Sequence, residues 1–209
     1  MNVLLVHGLG RTPCSMFRLG AALRRDGHRT GYFGYSPTLE SLPRILDRLT
    51  TRLRTVARPG EPIGLAAHSL GGLLLRRALV ELPQIAVRRL VMMGTPNRPP
   101  RMGAYFWRWR FFRWLTRDCG RFLASPDAIP AIPPPAVPYM IIAGTAGPRH
   151  SRLAFGDEPN DGVVAVSETL LHDDDQPLLV PAYHTFLVDD RTVHAAVRAT
   201  MMTPSKTSS

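Results

Sequence analysis

A chain of 209 residues suits a single unit with a substantial core. Two cysteines are too few for a disulfide framework, which agrees with a reducing compartment, and no apolar run reaches the ~18 residues that would cross a bilayer. The net charge of +10 is carried almost wholly by arginine and bears on association, not fold; it is spread over helix faces, as at Arg44, Arg48, Arg52 and Arg54, with no nucleic-acid-binding module beside it.

Met1 leads at once into Asn2-Val3-Leu4-Leu5-Val6, an apolar run without polar alternation, as in a strand buried on both faces of a parallel sheet. That start leaves no room for a signal peptide or anchor and predicts a cytoplasmic location. His7-Gly8-Leu9-Gly10 ends the strand, and its glycines allow the backbone N–H of Leu9 to turn toward a reaction centre. A helix near 13–26, a strand near 30–34, a helix near 39–57 and a strand near 62–67 follow. The last of these runs into Ala67-His68-Ser69-Leu70-Gly71-Gly72 and then a helix over 70–82. Small residues two before and two after Ser69 make possible a sharp strand-to-helix turn that holds a serine hydroxyl out of the chain. The pattern A-x-S-x-G departs by one methyl from G-x-S-x-G. The N–H of Leu70, at the start of the helix, is a second donor for an oxyanion; removing one such donor costs ~3 to 4 kcal/mol of transition-state stabilisation.

A strand near 87–94 ends at Gly94-Thr95-Pro96, and residues 97–135 are rich in aromatic and arginine side chains. On one continuous helical projection Arg110, Arg113, Arg117 and Arg121 share a face, opposite Phe111, Phe112, Leu115, Cys119, Phe122 and Leu123. Ala128 to Ala136 reads as a stiff extended connector to a strand near 138–144. In the loop beyond it, Asp157 and Glu158 read as solvated charges, whereas Asp161 sits in Asn160-Asp161-Gly162-Val163-Val164, a tight turn anchored by valines. Asp173-Asp174-Asp175 reads as a solvated turn, because calcium loops alternate their ligands. After a strand near 177–181 comes His184, placed as a base should be on a loop at the carboxyl edge of the sheet. His150 lies in a loop, and His194 within the final helix, near 189–202. Residues 203–209 form a polar tail expected to fray. This alternation predicts an α/β fold with a mostly parallel, doubly wound sheet of about six strands and helices on both faces.

The segments His7 to Gly10, Ala67 to Gly72, Asn160 to Val164 and Tyr183-His184-Thr185-Phe186-Leu187 together resemble the α/β-hydrolase superfamily. The A-H-S-x-G-G turn is most similar to that of small bacterial lipases and esterases related to triacylglycerol lipases, and the likeness runs from residue 2 to about residue 200. It implies one domain over 1–202, lacking two leading strands of the usual eight, with 97–135 inserted as a cap. It implies Ser69 as nucleophile, Asp161 as acid, His184 as base, and Leu9 and Leu70 as backbone oxyanion donors. Phe106, Trp107, Phe111 and Phe112 are the expected cap residues of the substrate pocket, and the chemistry requires neither cofactor nor metal. The expected partner is a small-molecule ester or lipid, with peripheral contact to an anionic membrane as a further expectation and no nucleic acid. Ester cleavage is the leading activity. A thioesterase, amidase, acyltransferase, perhydrolase or haloperoxidase would use the same three residues, and a non-catalytic membrane- or partner-binding module is the remaining alternative.

Overall fold

Strands that carry apolar residues on both faces must be covered on both faces, and β1 (Asn2–Val6) shows how this is done. Val3 and Leu5 enter one buried cluster and Leu4 and Val6 another, as the two-residue period of a strand requires. Each such side chain contributes about 2 kcal/mol by leaving water. The computed structural model describes residues 1–58 and 60–202; the polar tail at 203–209 lies outside the described residues.

β1 is joined by β2 (Arg29–Phe33), β3 (Ile63–His68), β4 (Val87–Met93), β5 (Tyr139–Gly144) and β6 (Leu178–Val180). They form a fully parallel sheet in the order β2-β1-β3-β4-β5-β6. One face packs against α1 (Phe17–Arg25) and α7 (Arg191–Met202) through Leu19, Leu23, Val193, Val197 and Met201. The other packs against α2 (Leu42–Val56) and α3 (Leu70–Val80) through Ile45, Leu49, Leu53, Leu70, Leu73 and Leu74. α3 is apolar nearly all round, as befits a helix held beneath others.

Strand boundaries fall within a residue or two of those read from the sequence. The first helix differs more. Pro13–Met16 forms a 3-10 turn, with Pro13 at its first position, and the α-helix starts only at Phe17. α2 begins at Leu42 and not near 39, where Ser41 in extended conformation accepts from the N–H of Arg44.

The chain runs from β1 outward to β2, then returns to place β3 on the other side of β1. Neighbouring strands thus lead away in opposite directions at β1 and β3, which opens a crevice at their carboxyl ends. His7 follows β1 there and Ser69 follows β3. Between β4 and β5 lie α4 (Arg101–Trp107) and α5 (Arg110–Ala124), and α6 (Val166–Thr169) precedes β6.

α5 corrects the single helical projection. Arg117 has φ 44° and ψ −123°, so two helical pieces meet at a kink. A face cannot be continued at 100° per residue through such a conformation. In the second piece Cys119, Phe122 and Leu123 are buried as expected, but in the first Phe111 and Leu115 stand in solvent. The connector also differs. The N–H of Ala131 donates to the carbonyl of Asp127 and that of Ile132 to Ile129, giving turns that bury both isoleucines before the chain extends at Pro133.

Candidate active site

Ser69 occupies the left-handed half of backbone space, with φ 53° and ψ −125°, between the last residue of β3 and the first of α3. A non-glycine residue there stores strain that its surroundings must hold. Those surroundings are tight. A Cβ on Gly71 would come within 2.6 Å of the His7 carbonyl oxygen and 2.7 Å of that of Val6, so only glycine lets α3 start this close to β1. Ala67 is fully buried beneath the turn. The N–H of Leu70 belongs to the first turn of α3, where backbone donors have no partner inside the helix. Opposite it, Gly8 to Arg11 make a tight turn closed by the Arg11 N–H on the Gly8 carbonyl, with Gly10 at φ 67° and Leu9 at its tip.

Asp161 and His184 come from separate loops and meet. Nδ1 of His184 donates to Oδ2 of Asp161 at 2.6 Å. Oδ1 of Asp161 accepts from the N–H groups of Val163 and Val164 at 2.9 and 2.7 Å, so the Asn160-Asp161-Gly162 turn locks the carboxylate plane. The main chains are tied as well, by the His184 N–H on the Asp161 carbonyl at 2.9 Å. Ser69 and His184 line the same cavity.

Three supporting groups escaped the sequence reading. Gly94, at φ 57° past the end of β4, passes so close that a Cβ would lie 3.1 Å from Nδ1 of His184 and 3.2 Å from Oδ2 of Asp161. His68, buried beside Ser69, has Nε2 3.0 Å from the His184 carbonyl; a carbonyl only accepts, so that nitrogen carries the proton. Burial and the neighbouring His184 push the pKa of His68 well below the ordinary histidine value. His7, fully buried, stacks on Tyr35 with ring centroids 4.3 Å apart, and the Tyr35 hydroxyl donates to the His7 carbonyl. That pair holds the start of the Leu9 turn. A glycine at the carboxyl end of a parallel strand was the available signal for Gly94; His7 and His68 lie within the two motif turns, but the partners that give them their roles come only from tertiary packing.

The cavity, about 230 Å³, is lined by Leu9, Ser69, His184 and Val163 on the sheet side and by Met102, Phe106, Phe112 and Leu123 from α4 and α5. Of the four cap residues expected in the pocket, Phe106 and Phe112 line it. Trp107 and Phe111 do not. Trp107 packs toward Gly120 in α5, and Phe111 is 69% exposed against Trp114. Consecutive residues on a helix point about 100° apart, so Phe111 and Phe112 cannot share one wall.

Glu158 proves more than a solvated charge. With Glu168 it holds Arg101, Nη2 to Glu158 at 2.6 Å and Nε to Glu168 at 2.7 Å, which fastens the start of α4 to the loop bearing Asp161. Burial raises the Glu158 pKa, but the Ser167 N–H and Arg101 outweigh it and hold the carboxyl below its ordinary value. Asp175 is likewise engaged, by the N–H groups of Leu171 and His172 and the hydroxyl of Tyr139. Asp173 pairs with Arg98. His194 meets the Val188 carbonyl and His150 the N–H of Arg152, both away from Ser69. Among the described residues no cluster of His, Cys, Asp or Glu could hold a metal ion, and no helix is long and apolar enough to cross a membrane.

A parallel sheet wound on both faces, with a serine on a strained strand-to-helix turn at its switch point, defines a class. The sequence model of the alpha/beta hydrolase family matches residues 3–207, and the chain belongs to that family. No curated protein sequence matches the chain. Among solved structures it is similar to the mature lipase BlEst2 of Bacillus licheniformis, at 18% identity and a TM-score of 0.73, covering 97% of this chain and 92% of that one. It is also similar to phospholipase PlaB of Legionella pneumophila, at 14% identity and a TM-score of 0.76, covering 99% of this chain and 59% of that one. A third likeness is to the ydeN gene product of B. subtilis, at 17% identity and a TM-score of 0.64, covering 97% and 99%. At such identities these likenesses speak to the fold. The family match marks the chain as a hydrolase.

Proposed function

We propose that the protein is a serine hydrolase that cleaves carboxylic esters of apolar acyl chains through an acyl-enzyme on Ser69. The observation that carries this reading is the meeting, at one cavity, of a serine on a strained turn with a histidine held by a carboxylate at 2.6 Å. Ser69 attacks the ester carbonyl while Nε2 of His184 takes its proton, the Nδ1 proton staying on His184 and donated to Asp161. The N–H groups of Leu9 and Leu70 receive the oxyanion, the latter aided by the N-terminal end of α3. His184 then protonates the departing alcohol, and water releases the acyl group by the same steps. His68 is neutral, so it adds no repulsion when the nearby His184 becomes charged.

Residues 97–135 act as the cap, with Phe106 and Phe112 giving the acyl pocket its apolar wall. The substrate is a small-molecule ester or a lipid, met in solution or at an anionic membrane surface. Two unpaired cysteines fit a reducing compartment such as the cytoplasm. The test is labelling by a fluorophosphonate probe together with hydrolysis of p-nitrophenyl esters of graded chain length. Labelling and turnover in the parent, both lost in Ser69→Ala and His184→Ala, are expected. A folded parent that neither labels nor turns over any ester would overturn the reading.

A further inference from the structure

The segment from Arg98 to Arg117 holds all three tryptophans of the chain, and its charged side chains are all arginine. Arg98 and Arg101 are neutralised by Asp173, Glu158 and Glu168. Arg108, Arg110 and Arg113 have no carboxylate within ion-pair reach among the described residues, and all three are exposed. Among and beside them stand Trp109, 56% exposed, Phe111, 69%, and Trp114, 66%. Phe111, Trp114 and Leu115 follow at i, i+3 and i+4 and so form one apolar stripe on the first piece of α5. Beside this piece Thr38 binds the Leu115 carbonyl and receives Arg117, which brings up Leu39, the most exposed of the large apolar side chains at 81%. Exposed singly, such residues need no explanation; interleaved with unpaired arginines, they do.

We propose that this face docks on an anionic bilayer. Trp109, Phe111 and Trp114 enter the interfacial layer, while Arg108, Arg110 and Arg113 meet lipid phosphates and carboxylates. Charge selects the occupant. A second copy would bring the same unpaired arginines against these, so self-association through this face is opposed. The aromatic side chains stand out from the helix and form no socket for a partner's side chain, whereas a fluid interface needs none. The face is continuous with the cavity: Phe112 stacks on Phe106 at 5.6 Å and Phe106 meets Trp109 at 6.3 Å between ring centroids, leading from the pocket wall to the exposed surface. The docking goes beyond the Ser69 reading and needs no turnover to be measured.

The experiment uses the full chain with vesicles of phosphatidylcholine, with or without phosphatidylserine, followed by tryptophan emission and co-sedimentation. Sedimentation and a blue shift are expected with phosphatidylserine only, both weakened by salt. Arg108→Glu, Arg110→Glu and Arg113→Glu combined should weaken partitioning by about 100-fold, and Phe111→Ser alone by several-fold. Ser69→Ala should bind as the parent does, which keeps a failure of docking distinct from a failure of the hydrolase reading. Circular dichroism checks the fold of the triple variant; should it not fold, Phe111→Ser and the emission of the parent carry the test. The proposal is overturned if the parent stays in the supernatant, if Phe111→Ser or the folded triple variant binds as tightly as the parent, or if binding leaves the emission unmoved. It is equally overturned if polyglutamate binds as tightly as the anionic vesicles, which would mark an acidic protein partner, or if the parent forms a dimer that the arginine substitutions abolish.

Discussion

Substituting Gly94 by alanine separates backbone strain from damage to the Asp161–His184 pair. At φ 57° an alanine meets the left-handed penalty of ~1 to 2 kcal/mol, offset in part by the lower entropy of the unfolded chain, for a net loss of about 1 kcal/mol. Gly27, at φ 83°, carries the same kind of strain at the end of α1, with nothing within 4 Å of an added Cβ. Gly27→Ala is therefore the control for strain alone. The Gly94 methyl would lie 3.1 Å from Nδ1 of His184, about 0.3 Å short of ordinary contact. Displacing a reacting group by 1 Å costs about 100-fold in rate, so a shift of about 0.3 Å should lower kcat roughly 4-fold. The assays are urea unfolding and hydrolysis of p-nitrophenyl butyrate, with the rate of fluorophosphonate labelling as a second reading of Ser69. A stability loss in Gly94→Ala at least as large as in Gly27→Ala is expected, with kcat lowered only in Gly94→Ala. A Gly94→Ala enzyme with unchanged kcat and labelling rate would refute the claim that this glycine makes room for the pair.

Gly71→Ala should be far more damaging than either, because its Cβ would meet two backbone oxygens below 3 Å that cannot swing aside; loss of soluble folded protein or a fall in stability of about 3 kcal/mol is expected in thermal melts, and a wild-type melt would contradict it. Phe112→Ala should raise KM for long-chain p-nitrophenyl esters by several-fold relative to short-chain ones, while Phe111→Ala leaves that ratio unchanged; equal effects would mean that the cavity wall is wrongly drawn. Stability should fall with acid. Burial lowers the pKa values of His7 and His68 in the folded state, so below the ordinary value near 6.5 the unfolded chain takes up protons that the folded chain refuses, each group adding up to about 1.4 kcal/mol of lost stability per pH unit. Urea midpoints between pH 8 and pH 5 measure this, and His68→Gln, which keeps an N–H for the His184 carbonyl, should flatten the slope.

What could be read without the structure is what neighbouring residues determine among themselves. Apolar runs such as Asn2 to Val6 and Ile63 to His68 declare strands covered on both faces, and the alternation of strands with helices leaves a parallel sheet as the consistent packing. The turn at Ser69 is legible because its demands are local, small residues at fixed offsets between a strand and a helix. The turn at Asp161 is legible for the same reason, with the Asn160 side chain accepting from the Gly162 N–H at 2.9 Å and Gly162 at φ 93°. Other features depend on what lies across the molecule, and no spacing along the chain reports them. Gly94 matters because two side chains from later loops converge on it, and His68 because the backbone of His184 comes to rest above it, 116 residues further along. Glu158 is drawn out of solvent by Arg101, 57 residues before it. The kink at Arg117 is the clearest case, since a helical period assumes that each residue repeats the dihedrals of the last, and one residue outside them breaks the single face: Cys119, Phe122 and Leu123 beyond it are buried, while Phe111 and Leu115 before it stand in solvent.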